Sequence, residues 1–195
     1  MNNIMLDLET MGKGSNAAIV SIGAVFFDPL TGEIGERFYK RIWLDSAVKY
    51  GELDASTVVW WLDQSDAARA EIDHEDSDSL PHALTDFRHF VRDERKCAFG
   101  EIRVWGNGCT FDNVIIANAF KKVDVSKPWS YAGDMDVRTI VELGRKLLNF
   151  DPKKDMPFEG EKHNALADAI HQAKYVSAIY QKLAEDTHRD EVEAA

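Results

Sequence analysis

Between residues 33 and 42 apolar and polar side chains alternate, whereas from 80 to 91 apolar ones recur every three or four positions. The chain therefore passes from the period of a strand to that of a helix. Residues 3–8, "NIMLDL", read as a first strand, and 18–28, "AIVSIGAVFFD", are dense in the β-branched and aromatic residues that strands favour. Asp28-Pro29-Leu30-Thr31-Gly32 is turn chemistry, so 33–42 is predicted to pair back as a hairpin. The chain is thus expected to open with an antiparallel meander.

Helices are predicted over 54–64, with Asp54 as N-cap, and over 79–94, where Ser79 caps a face of Leu80, Leu84, Phe87 and Val91. A short strand, 102–106, ends at Gly106. Further helices are predicted over 111–123, 137–148 and 164–183, the last with Leu166, Ile170, Ala173, Val176 and Tyr180 along one side. The acidic stretch 65–79 and the Pro/Gly/charged stretch 151–162 read as mobile loops. This order predicts an α/β fold, a mixed sheet of about five strands flanked by helices, although the pattern leaves the fifth strand unplaced. One domain over 1–185 followed by a fraying acidic tail, 186–195, is expected.

A chain of 195 residues, 45% hydrophobic and 29% charged, can bury a sizeable core. It has no apolar run of the ~18 residues a membrane span needs, and no basic leader joined to an apolar stretch. Its two cysteines, Cys97 and Cys109, cannot form a disulfide scaffold or a CxxC pair, so a reducing cytoplasm is expected. The net charge of -11 argues against coating nucleic acid by bulk electrostatics. It leaves open an enzyme that grips a strand end, because metal ions reverse the sign of an acidic pocket.

Three segments carry candidate chemistry. In the first strand, Asp7 and Glu9 are two apart and share a face, while Leu6 and Leu8 face the other way. Ionised carboxylates are costly to bury without a cation, and a carboxylate pair is an oxygen-ligand set for Mg²⁺ or Mn²⁺; two solvated acids on an edge strand are the alternative. In "VWGNGCTFDN" (104–113) a strand end leads through Asn107 and Gly108, where backbone can approach a phosphate, to Asp112 at a helix start. Alone, Asp112 need only complement the helix dipole. In "HNALAD" (163–168), His163 and Asp168 would lie about 140° apart on one continuous helix. They converge only if His163 lies in the loop ahead of it, with Asn164 as N-cap. Four acids around one point call for several positive charges. Two metal ions ~3.5–4 Å apart would supply them and suit in-line phosphoryl displacement. His163 suits taking the proton from the attacking water.

Taken together, "DLET", "GNGCTFDN" and "HNALAD" resemble the three motifs of the DEDDh 3′–5′ exonucleases, a ribonuclease-H-like family within the DnaQ-like superfamily. "TVVWWLDQ" (57–64) and "DVRTI" (136–140) are similar to its small bacterial and phage branch, described as exodeoxyribonuclease-VIII-like or exoribonuclease. The resemblance implies Asp7, Glu9 and Asp168 on one metal ion, Asp7 and a water-linked Asp112 on the other, and His163 as general base. It implies hydrolysis at the 3′ end of single-stranded DNA or RNA, with release of nucleoside 5′-monophosphates. It also places Thr10 and Met11 at the terminal nucleotide, Thr10 offering a hydroxyl to the sugar and Met11 an apolar wedge to the base. Adjacent Trp60 and Trp61 point ~100° apart, so one belongs to the core and the other can stack on a base; Trp61 is expected at the substrate. Asn107 and Arg138 are expected on phosphate, Arg138 having a salt bridge to Asp134 or Asp136 as its alternative. The acidic stretch 71–78 would repel a long strand, so a short footprint is expected, as in an enzyme that trims single-stranded ends, with a homodimer as a candidate assembly. Two other readings stay open: a non-catalytic binder of 3′ ends and a phosphodiesterase for small nucleotides.

Overall fold

The alternation of β1 (Asn3–Thr10) sets the plan of the molecule. Ile4, Leu6 and Leu8 enter one core and Met5 enters another on the opposite face of the sheet, the face that Asp7 and Glu9 share. A computed structural model describes residues 1–72 and 74–193, with side chains as far as Asp186. β2 (Ile19–Phe27) and β3 (Ile34–Arg41) complete the predicted antiparallel meander. Next come α1 (Leu44–Tyr50), α2 (Ala55–Leu62), α3 (Asp66–Ala70) and α4 (Leu80–Glu94). β4 (Arg103–Gly106) follows, then α5 (Asp112–Lys122), β5 (Asp134–Asp136), α6 (Val137–Leu147), α7 (Pro152–Asp155) and α8 (Ala165–Glu193). The sheet order is β3-β2-β1-β4-β5, with β1, β4 and β5 parallel. The mixed five-stranded sheet is the one expected.

The predicted caps are in place. Asp54 accepts from the amides of Ser56 and Thr57, and Ser79 from that of His82. The unplaced strand is β5, only three residues long. The mobile loop expected over 65–79 instead contains α3, capped by Ser65, and Glu71 fixed by an ion pair; Asp73 lies outside the described residues. The loop expected over 151–162 contains α7. The backbone of the expected tail continues α8 to Glu193, and residues 194 and 195 lie outside the described residues. Among the described residues no helix is long and apolar enough to cross a membrane.

One close approach fixes α8 on the sheet. Gly23 lies opposite Asp7 on β2, and a Cβ there would come within 2.1 Å of the Ala165 carbonyl carbon. Only glycine lets the first turn of α8 lie against the strand at this point. Ala169, Ala173 and Val176 carry the packing onward against Met5 and Val25.

Candidate active site

Because β1 and β4 run parallel, their C-terminal ends share one edge of the sheet, a usual place for ligands in α/β folds. β1 presents Asp7 and Glu9 there, and α5 begins there with Asp112. The Asp112 carboxylate is 3% exposed; Oδ1 accepts from the Leu8 amide (3.3 Å) and Oδ2 from the Asn107 amide (3.1 Å). Asp168 comes from the first turn of α8, where Oδ2 accepts from the His163 amide at 3.0 Å. One oxygen each from Asp7, Glu9 and Asp168 lie within 4.8 Å of one another. The four acids line one pocket of about 320 Å³.

Arg138 lines this pocket but does not neutralise its acids by direct pairing. Among the described residues no Lys or Arg forms an ion pair with Asp7, Glu9, Asp112 or Asp168. Burial and the neighbouring carboxylates push Asp7 well above the ordinary carboxylate range and raise Glu9 to about 8. Burial raises Asp112 to about 7 against its two backbone donors and Arg138, and burial also raises Asp168. The contrast with Asp78, His82 and Asp86 is informative. Those three also converge, but Lys40 reaches Asp86 at 2.8 Å and Asp78 at 3.5 Å, so the protein meets that charge itself. The Asp7 group is an all-oxygen donor set with no ion-paired Lys or Arg among the described residues, and this fits a hard divalent metal ion.

His163 sits in the loop ahead of α8 with φ of 64°, and its ring meets that of Trp60 edge-on at 4.9 Å. Asn164 caps the helix by accepting from the Ala167 amide, and its Nδ2 donates to the Tyr39 hydroxyl and to Glu71. Glu71 in turn accepts from the Tyr39 hydroxyl and forks onto Arg41 at 2.8 and 2.9 Å. A second pocket of about 370 Å³, a size suited to a small ligand, opens beside Glu9 between Trp60 and Phe111, with Lys13 and Ser56 at its rim.

The model of the 3′-5′ exoribonuclease Rv2179c-like domain matches residues 2–180. The chain belongs to this exonuclease family. It is 25% identical over 164 residues to the exodeoxyribonuclease of Enterobacteria phage T4, covering 73% of this chain and 71% of that one. Among solved structures it is similar to cell-death related nuclease 4, CRN-4 (TM-score 0.66, 15% identity, 94% of this chain). The match covers 63% of CRN-4, so the chain spans less than two thirds of that nuclease. It is also similar to the nuclease domain of 3′hExo, a DEDDh family member bound to rAMP (TM-score 0.63, 12% identity, 92% and 91% of the two chains). E. coli exonuclease I in complex with a dT13 oligonucleotide gives TM-score 0.63 at 13% identity, over 96% of this chain and 42% of that one. The ribonuclease-H-like fold is thus shared, and divalent metal dependence goes with the family.

Within this exonuclease domain the structure gathers Asp7, Glu9, Asp112, His163 and Asp168 around one pocket, with Asn107 and Arg138 on its wall. Arg138 is not within ion-pair distance of Asp134 or Asp136; Asp134 pairs with Lys127, and Asp136 caps α6 through the Thr139 amide. Two expected contacts are corrected. Trp61, not Trp60, is the core tryptophan: it is 2% exposed, and its indole donates to the Thr10 carbonyl at 3.0 Å. Trp60, 42% exposed, is the ring that lines the second pocket. Met11 is buried in the core and its amide donates to Ala18, so it offers no wedge to a base. Thr10 does line the second pocket, but its hydroxyl donates to the Gly12 carbonyl.

Sequence reading missed Gln172 and Glu71. Gln172 donates to Asp7 Oδ1 at 2.7 Å. Its position, four residues beyond Asp168 and so on the same helical face, was a usable signal. Glu71 lay hidden in a stretch read as solvated acid.

Proposed function

We propose that this chain is a metal-dependent nuclease that shortens single-stranded nucleic acid from its 3′ end, releasing nucleoside 5′-monophosphates. One observation carries the reading: three half-buried carboxylates converge on a point where, among the described residues, no Lys or Arg forms an ion pair with them. Asp7, Glu9 and Asp168 would hold one divalent ion, and Asp7 with Asp112 a second. Bound there, two Mg²⁺ or Mn²⁺ ions supply the positive charge that favours in-line attack of water on the phosphorus.

The chain's own groups do the rest. Gln172 holds Asp7 in one rotamer and leaves its second oxygen to the pocket. Asp112 is oriented by two amides from neighbouring strand ends. His163, packed on Trp60, takes the proton from the attacking water as the bond from phosphorus to the O3′ of the preceding nucleotide breaks. The terminal nucleoside sits in the second pocket, its base against Trp60. The test is a 5′-labelled single strand, as matched DNA and RNA, with Mg²⁺ or Mn²⁺ and with EDTA. Stepwise shortening with metal and none in EDTA is expected. Asp7→Ala should abolish it, and His163→Ala should slow it by roughly 10²–10⁴. Unchanged cleavage by Asp7→Ala, or tight binding of the strand without nucleotide release under any metal, would defeat the proposal.

A further inference from the structure

Two cations flank the Asn107–Gly108 turn that also holds Asp112. Arg138, at the start of α6, lies flat against Gly108: a Cβ there would come within 3.1 Å of the guanidinium carbon. With φ of 100°, the position favours glycine on conformational grounds too. On the same turn, Lys153 of α7 donates to Asn107 Oδ1 at 3.4 Å. Among the described residues neither cation has an acidic ion-pair partner, since nearby Asp134 pairs with Lys127 and Asp151 with Arg145. This is unexpected in a chain with 34 acidic and 23 basic residues. Partial burial, then repulsion from Arg138 and Arg145, lowers the Lys153 pKa. Two like charges held against one turn without a direct ion-pair partner repel each other, a cost that a phosphate between them would recover, beyond the attraction Arg138 already has for Asp112.

Their position says which anion. Leu8, Glu9 and Phe111 line both the carboxylate pocket and the nucleoside pocket, whereas Arg138 and Asn107 line the carboxylate pocket alone. A strand whose last nucleoside fills the second pocket, with its scissile phosphate over the carboxylates, continues toward Arg138. We propose that Arg138 and Lys153 together bind the backbone phosphate one step 5′ of the scissile one. This pair would make the enzyme favour substrates that carry such a phosphate. The inference rests on the proposed exonuclease reading and adds a phosphate subsite to it.

The probes are two dinucleotides of one sequence, one with a 5′-hydroxyl and one with a 5′-phosphate. They have the same scissile bond and differ only in the upstream phosphate. Charge-assisted contacts of this kind predict that the wild type prefers the 5′-phosphorylated form by about tenfold or more in kcat/KM. Lys153→Ala and Arg138→Ala should each shrink that ratio, and the double variant should bring it to about one. Lys154→Ala, which removes the exposed neighbouring charge, should leave it unchanged. On a nonhydrolysable trinucleotide, each of the two variants should flatten the slope of log affinity against log salt by about 0.7. This second readout applies even if a variant is slow. A wild-type ratio of one, or variants that keep the wild-type ratio, overturn the subsite while leaving the exonuclease intact. Equal loss on both dinucleotides would put the cations on the scissile phosphate instead and likewise overturn it. A wild type that cleaves neither these nor longer strands refutes the exonuclease reading and the subsite with it.

Discussion

Raising the pH of the EDTA-treated protein from 5 to 8 should destabilise it, and Glu9 sets the scale. Burial, Asp168, Asp112 and Glu71 raise its carboxyl from 4.5 to about 8. The folded state then holds this proton to higher pH than the unfolded chain does. Stability is therefore full below about 4.5 and falls as the pH climbs through 8. At ~1.4 kcal/mol per pH unit, three units set an upper limit of ~4 kcal/mol. Water reaching the half-buried carboxyl screens part of this, leaving ~2–3 kcal/mol. In a chain of this size that corresponds to a fall in Tm of roughly 4–12 °C. The assay is thermal unfolding in EDTA at pH 5, 6, 7 and 8, with Glu9→Gln alongside. The variant cannot ionise at this position and should show a shallower fall than wild type. Saturating Mg²⁺ at pH 8 should restore the wild type by binding the ionised carboxylates of the folded state. A wild-type Tm that stays level or rises over this window, or a Glu9→Gln slope equal to wild type, would refute the reasoning.

Two further predictions separate packing from function. Trp61→Ala should cost ~3–5 kcal/mol in stability. Trp60→Ala should leave Tm nearly unchanged yet weaken substrate binding by ~1–3 kcal/mol, read as a raised KM; the opposite pattern would restore Trp61 to the substrate. Gly23→Ala places a methyl 2.1 Å from the Ala165 carbonyl carbon, so α8 must shift and carry Asp168 with it. A displacement of ~1 Å at a reacting geometry costs about 10²-fold, so kcat measured well below Tm should fall by that order in a protein whose circular dichroism is still folded. Wild-type kcat in Gly23→Ala would show that this close approach does not set the site.

Much of the site was legible in the sequence because it depends on local periodicity. The two-residue period of β1 puts Asp7 and Glu9 on one face whatever packs against them, and helical geometry alone requires His163 to leave the helix that carries Asp168. Asp54 and Ser79 were readable as caps for a similar reason, since an N-cap bonds to amides two or three residues away.

What the chain could not declare was which face meets which neighbour. β5 is three residues, Asp134-Met135-Asp136, too short and polar for a pattern; its ladder with β4 makes it a strand. Trp60 and Trp61 have the same local propensity, and the Thr10 carbonyl, distant in sequence, decides which one is buried. Glu71 becomes part of the His163 surroundings through Arg41, Tyr39 and Asn164, contacts spanning as many as 93 positions. Local spacing fixes a side chain's direction relative to its own element. Its environment is set by long-range packing, here by the glycine at position 23 that lets α8 settle against the sheet.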